Sequence, residues 1–166
     1  MPTARTITSR AIAADDLTPA AAARVREQAA QHDLGDPLPD VTDGLRVDEE
    51  ATTKRLFRTP RTARSEVELL LSPALLVVVD HAADADEVAL HPLRQVEFSA
   101  APAELLAKVT GMPVDVPDDR LPVTSTPLGG DRRTTRYVRV GTGPDVRAFR
   151  AALTAAVDAA RPRFDV

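Results

Sequence analysis

Alternating apolar and polar residues mark the middle of the chain as a succession of β-strands. In SEVELLL (65–71) one valine and two leucines share one face and the two glutamates the other, the period of two that is typical of a half-buried strand. The run LLVVV (75–79) is uniformly apolar and β-branched, as in a central strand. The turn DHAADAD separates it from DEVALHPLRQVEF (86–98), which predicts a hairpin that bends or reaches an edge at Pro92.

Apolar residues with helical spacing lie towards both ends of the chain. Thr18 and Pro19 precede AAAARVREQAAQ, which predicts a helix with Thr18 as its N-cap that stops before Gly35. From Pro144 to Ala160 the apolar residues recur on one stripe, which predicts an amphipathic C-terminal helix. A short helix is also predicted over 102–110.

These elements suggest an N-terminal helical arm and linker at residues 1–50, followed by one domain at 51–166. Within the domain, further strands are expected at TTKRLF (52–57), around 121–124, and at RTTRYVRV (133–140). The expected fold class is α+β, with an antiparallel sheet, an amphipathic C-terminal helix and the extra N-terminal helix. The pattern leaves open whether the arm packs on the domain.

Composition excludes several kinds of chemistry. The chain of 166 residues has no cysteine and no tryptophan, and only 3% of it is aromatic. Disulfides, thiolate nucleophiles and cysteine zinc sites are therefore absent, and few aromatic faces are available to stack nucleic-acid bases. No apolar run is long enough for a membrane span, and the N-terminus lacks an apolar signal segment. We expect a cytoplasmic protein.

Basic residues are concentrated in two islands of an otherwise acidic chain. The segment KRLFRTPRTAR (54–64) carries five basic residues and no acidic ones, and residues 126–166 carry eight against four. Arginine forks suit phosphate or carboxylate groups, so the first island is the candidate anion-binding or partner-binding site. Its members, in the first strand of the domain and the loop expected after it, are Lys54, Arg55, Arg58, Arg61 and Arg64. The alternative is that these charges only keep strands and loops solvated.

No pattern in the chain indicates catalysis. Gly141 and Gly143 resemble part of a phosphate loop, but Pro144 removes a backbone donor and Asp145 places a negative charge in the first helical turn. That joint is predicted to be a structural corner. The serines lie in no nucleophile motif, and the paired carboxylates lie in polar stretches. We therefore expect no enzyme activity, no catalytic residue and no cofactor.

The histidines are the remaining candidates for a metal site. His81 and His91 flank the predicted hairpin and could approach each other across its strands. A metal ion would need further ligands, and the nearest are Asp80, Asp84 and Asp86. Because aspartate beside a turn more often serves the turn itself, no metal site is expected.

The order of elements resembles the pleckstrin-homology-like superfamily, especially its bacterial members, over about residues 52–162. The resemblance rests on SPALLVVVD followed by DEVALHPLRQVEF, and on a last strand followed by GPDVRAFRAAL. It implies a bent antiparallel sheet or partly open barrel, closed by the C-terminal helix. It also implies binding to proteins, to a second copy or, in some members, to phosphoinositides. In lipid-binding members a basic loop carries the anion where KRLFRTPRTAR falls, but their Lys-x-Arg pattern is not reproduced here.

The resulting expectation is a non-catalytic interaction module that binds a protein partner or self-assembles, with an acidic surface or anionic lipid as a further possible partner. No specific nucleic acid is expected as a partner. One alternative is a helix-grip cup, in which a helix lies across a sheet and a sizeable cavity holds a hydrophobic small molecule. Another is a secretion-associated chaperone or adaptor, since the residue usage resembles that of high-GC actinobacteria, whose export systems contain such proteins.

Overall fold

The computed structural model describes residues 3–55, 58–97, 111 and 119–161, and only the backbone of residues 3, 54, 55, 58 and 60. Within these ranges the fold is α+β. The strands are β1 (Thr3–Ala11), β2 (Asp43–Arg55), β3 (Arg58–Leu71), β4 (Leu75–His81), β5 (Asp86–Pro92), β6 (Arg120–Ser125) and β7 (Thr134–Arg139). The α-helices are α1 (Pro19–Ala30) and α2 (Pro144–Ala160). None of the helices in the described ranges has the length and hydropathy of a membrane span.

Five strands form one antiparallel sheet in chain order, from β1 at one edge to β5 at the other. The hairpin of β6 and β7 forms a second, smaller sheet, and a single bridge between Glu97 and Thr124 connects it to the end of the first. The larger sheet is not closed into a barrel. The expected α+β class, with an antiparallel sheet and a C-terminal helix, is therefore confirmed at this level.

Both faces of the five-stranded sheet are packed. On one face, which we call the α2 face, alternate residues of β2, β3 and β4 pack against α2 and the small sheet. The buried residues of this core include Leu45, Leu69, Val78, Phe149, Leu153, Leu121 and Val138. The opposite face, the α1 face, buries the intervening positions against α1; these include Leu70, Val77, Val79, Leu90, Ala21, Val25 and Ala29. The period-two pattern of the strands thus supplies two separate hydrophobic cores.

The N-terminal segment is part of this packing. Thr18 is the N-cap of α1, and its hydroxyl accepts the Ala21 backbone N–H at 3.1 Å, as predicted. The helix packs on β5 and β4. All nine residues of β1 pair with β2, and β2 runs without a break through residues 50 and 51. The question of whether the arm packs on the domain is therefore answered: it does.

The structure bears on several of the expected elements. The β4–β5 hairpin and α2 are confirmed, β5 ends at Pro92, and β6 extends the short strand expected around 121–124. The prediction of a loop after the first strand of the domain is wrong, because Arg58 begins the 14-residue strand β3. Strand β1 was not predicted, since Ile7 is its one large apolar side chain. The helix expected over 102–110 lies outside the described residues.

The corner before α2 ties the helix to the sheet. Gly141 has a φ of 69°, a conformation that favours glycine. The carboxylate of Asp145 accepts the backbone N–H of Ala11 at 3.0 Å, and the Ser9 hydroxyl donates to the carbonyl of Val140 at 2.5 Å. Asp145 therefore connects the first turn of α2 to the end of β1, while its charge also complements the helix dipole.

Packing of α1 on the sheet can be measured through Val25, which has no solvent exposure. Replacing it in Val25→Ala removes two buried methyl groups and should lower the free energy of unfolding by about 1.5–3 kcal/mol in a urea titration. The exposed neighbour provides the control, since Arg24→Ala should stay within about 0.5 kcal/mol. An unchanged unfolding midpoint in Val25→Ala would mean that α1 does not contribute to the cooperative core.

Candidate functional site

Polar side chains meet on the α1 face beyond the part that α1 covers. The strand register places Asp48, Glu66, His81 and Asp86 in one row across β2 to β5. The adjacent row contains Arg46 opposite Glu68. Directly opposed residues of antiparallel strands share a face, so the register alone brings these groups together. We call Arg46, Glu66, Glu68, His81 and Asp86 the His81 cluster.

Glu68 lies at the centre of the His81 cluster and has no solvent exposure. One carboxylate oxygen, Oε1, accepts hydrogen bonds from Nε and Nη2 of Arg46, the first at 2.7 Å. The other, Oε2, lies 2.8 Å from Nε2 of His81. Burial of an ionised carboxylate is tolerated only with such partners. The glutamates of β3 do share a face, as predicted, but Glu68 is not solvated.

His81 contacts a carboxylate through each ring nitrogen. Its Nδ1 lies 2.8 Å from Oδ1 of Asp86, on the partner strand of the hairpin, and its Nε2 faces Glu68. Burial by itself would lower the pKa of His81, but hydrogen bonding to Glu68 and Asp86 outweighs it and raises the pKa above the ordinary value. A doubly protonated ring donates to both carboxylates at once.

An open groove of about 690 Å³ runs from the His81 cluster along the long strands β2 and β3. Acidic residues outnumber basic ones in its lining, which contains Asp48, Glu49, Glu50, Glu66, Arg64 and His81. Thr6 and Thr8 of β1 form part of the wall. The groove is therefore polar and negatively charged, unlike the enclosed apolar cavity that a hydrophobic ligand requires.

The five predicted basic residues lie on one structural feature, the arm of the sheet beyond β4, in which β1, β2 and β3 continue as three paired strands. Strand β4 pairs with β3 only from Glu66 to Leu71, so the rest of β3 continues beyond it with β2 alone as its neighbour. No described strand pairs with the outer side of residues 58–65, which we call the β3 arm edge. The backbone of Lys54 and Arg55 in β2 lies at the end of the same arm.

Within the β3 arm edge, Arg61, Thr62, Ala63 and Arg64 are exposed. The Arg64 side chain is 80% exposed, and its Nε lies 2.9 Å from Oε2 of Glu50. That ion pair offsets part of the positive charge. The side chain of Arg61 has no ion-pair partner among the described residues.

A second buried histidine lies on the opposite face of the sheet. His91 is directly opposite Leu76, which belongs to the α2-face core, whereas His81 faces the other way. The suggestion that the two histidines approach each other is therefore wrong. Nδ1 of His91 lies 2.5 Å from the hydroxyl of Ser125, and Nε2 has no hydrogen-bond partner among the described residues.

Burial lowers the pKa of His91 to about 4, and the positive charge of Arg136 adds to the effect. Arg136 itself forms a two-pronged ion pair with Asp80, in which Nη1 donates to Oδ2 at 2.5 Å. Asp80 therefore pairs with Arg136 on the α2 face, whereas Asp86 contacts His81 on the α1 face.

Comparisons of the chain with protein-family models, with curated proteins and with solved structures found no match. Function must therefore be inferred from the His81 cluster, the groove and the β3 arm edge.

Loss of the central carboxylate should destabilise the protein strongly. In Glu68→Ala, Arg46 and His81 would lose their shared acceptor while remaining largely buried, at a cost of about 3–5 kcal/mol in the free energy of unfolding. The matched control is Glu87→Ala, an exposed glutamate on the neighbouring hairpin strand, which should change stability by less than about 0.5 kcal/mol. Equal effects of the two substitutions in denaturant titrations would contradict the assigned role of Glu68.

The stability of the protein should fall on acidification partly because of His91. Between its ordinary pKa of 6.5 and the folded value of about 4, the unfolded chain binds a proton that the folded protein excludes. The stabilising effect is thus complete above pH 6.5 and is lost progressively as the pH falls to 4, by up to about 3 kcal/mol. Unfolding of wild type and His91→Gln across this range isolates the effect, because the carboxylates are common to both. Parallel pH profiles would refute it.

Proposed function

We propose that this protein is a non-catalytic interaction module that binds an extended, acidic segment of a protein partner along the β3 arm edge. The observation that carries the proposal is the length of β3, whose residues 58–65 extend beyond β4 and leave one side without a described neighbour. The exposed backbone of an edge strand is a template for an added strand. Main-chain hydrogen bonds would supply affinity, and side chains would supply selectivity.

The positive charge of the β3 arm edge favours an acidic partner. An added strand places its side chains next to those of residues 58–65, which contain three arginines and no acidic residue. The acidic residues of the groove lie one strand further away on β2 or, for Glu66, where β4 already pairs with β3. Acidic residues on the partner would gain charge-assisted hydrogen bonds to the guanidinium groups. Arg64 is engaged by Glu50, so the partner would share or displace that exposed ion pair at small cost.

The same charges disfavour pairing of this edge with a second copy of the chain. In an antiparallel pair of identical segments, registers centred on Arg61 would place guanidinium groups opposite one another. Like charges directly opposite in a sheet are destabilising. We therefore favour a different protein over self-assembly at this edge.

The strand order also supports the resemblance to pleckstrin-homology-like proteins. The strands described within residues 52–162 are antiparallel and precede a C-terminal helix, which is the order of elements on which that resemblance rests. Strand β1, helix α1 and most of β2 lie outside the residues that the resemblance covers. Binding at the β3 arm edge does not depend on that family assignment.

Selection of random peptides displayed on phage, using the full chain as bait, tests this proposal. Acidic peptides of extended, β-forming sequence should be enriched. Fluorescence anisotropy should then show binding at least tenfold weaker for Arg61→Glu/Arg64→Glu, because two attractive charges become repulsive. N-methylation at alternate amides of a selected peptide should abolish binding in only one of the two frames, since an added strand directs every second N–H to its neighbour.

The matched control is Arg132→Glu/Arg147→Glu, which changes the net charge equally at exposed sites outside the arm. This variant should bind as wild type does at moderate salt. The proposal fails if the selected peptides are not acidic, if both double variants bind them equally, or if N-methylation has the same effect in both frames.

A further inference from the structure

We propose that Glu66, Glu68 and His81 form a binding site for a divalent transition-metal ion, with Asp86 positioning His81. One imidazole nitrogen and two carboxylate oxygens are the donors that such ions accept in three-ligand sites. The proposal is independent of the partner-binding role of the β3 arm edge.

The distances between the donor atoms suit a single ion. One ligand atom from each of the three residues lies within 4.8 Å of the other two. Nε2 of His81 lies 2.8 Å from Oε2 of Glu68 and 3.9 Å from Oε1 of Glu66. A tetrahedral ion with bonds of about 2.1 Å holds its ligands about 3.4 Å apart, a value between these two separations. Nε2 of His81 would therefore move by about half an ångström relative to each glutamate oxygen, and the two glutamate oxygens, which lie within 4.8 Å of each other, would approach by at most about 1.4 Å.

Asp86 provides the support that metal-binding histidines need. Its Oδ1 lies 2.8 Å from Nδ1 of His81, so an Nδ1–H donated to Asp86 leaves the Nε2 lone pair directed at the two glutamates. This carboxylate–histidine arrangement fixes the tautomer and ring orientation of metal ligands. The donors lie on β3 and β4 and the supporting carboxylate on β5, so hydrogen-bonded strands hold all of them in place.

Arg46 contacts the site without occupying all of its donors. Its guanidinium binds Oε1 of Glu68 and also donates to the backbone carbonyl of Asp16 at 2.9 Å, which leaves Oε2 of Glu68 for the ion. Its Nε lies 3.2 Å from Oε1 of Glu66, so an ion must compete there. Glu66 is 38% exposed, which leaves its carboxylate room to rotate.

Charge balance favours a divalent ion. When the ion displaces the proton from Nε2 of His81, the Arg46 guanidinium faces four carboxylates, those of Asp48, Glu66, Glu68 and Asp86, and a charge of +2 would reduce the excess from three negative charges to one. Glu66 and His81 also line the groove, so the ion would be reached from solvent and could retain water as a fourth ligand. Zn²⁺ and Co²⁺ fit this mixed donor set better than Mg²⁺ or Ca²⁺, which prefer six or more oxygens.

Isothermal titration calorimetry of the untagged full chain with ZnCl₂ tests the proposed site. We expect saturable binding of one ion per chain, with binding at least tenfold weaker in Glu66→Gln and His81→Gln. Co²⁺ should give visible absorption bands of a four-coordinate complex in wild type, and both variants should lose them. Glu87→Gln and His32→Gln are matched controls, because they remove a carboxylate and an imidazole outside the site, and both should bind as wild type does.

Glu66→Gln decides the outcome if His81→Gln fails to fold, because Glu66 is partly exposed and circular dichroism can verify the fold of that variant. Absence of saturable Zn²⁺ binding in wild type would overturn the proposal and leave the His81 cluster as an ion-pair network. Unchanged affinity in Glu66→Gln would overturn it as well, because the three-donor set would be wrong.

Discussion

Glu68 is a carboxylate without solvent exposure in the middle strand of a five-stranded sheet, and Arg46 and His81 contact it from the strands on either side. Removing a charge from water is costly, and the cost is offset only where the partners have good geometry. The contacts exist in a single register of β2, β3 and β4, because a shift of one residue would turn Glu68 to the other face. The same register keeps the valines and leucines of these strands in their two cores.

The two packed faces of the sheet give ionisable side chains different environments. On the α2 face His91 is surrounded by apolar packing and Ser125, and burial holds it in the neutral form. On the α1 face His81 lies between two carboxylates, which favour the charged form. The two histidines belong to one hairpin, so their opposite behaviour follows from the alternation of side chains along its strands rather than from distance along the chain.

Much of the fold could be predicted from local pattern, whereas the candidate sites could not. The caps and stripes of α1 and α2 and the alternation of β3 to β5 are signals contained within each segment. Strand β1 carries little apolar signal, and its formation depends on pairing with β2. The His81 cluster unites residues from four strands, and an alternating glutamate such as Glu68 ordinarily indicates a solvated face. Only the register shows that Arg46 lies opposite it.

The β3 arm edge arises from a mismatch in strand length. Strand β3 has 14 residues and β4 has seven, so β4 reaches its turn while β3 continues beside β2. An exposed edge invites association, and natural sheets guard such edges with charged side chains. Arginines satisfy that need, and under the proposed function they would repel a second copy of the same edge and attract an acidic strand. The same arginines could therefore both protect the edge from unwanted strand pairing and select a partner. Which of the two occurs would depend on whether the incoming strand carries acidic residues.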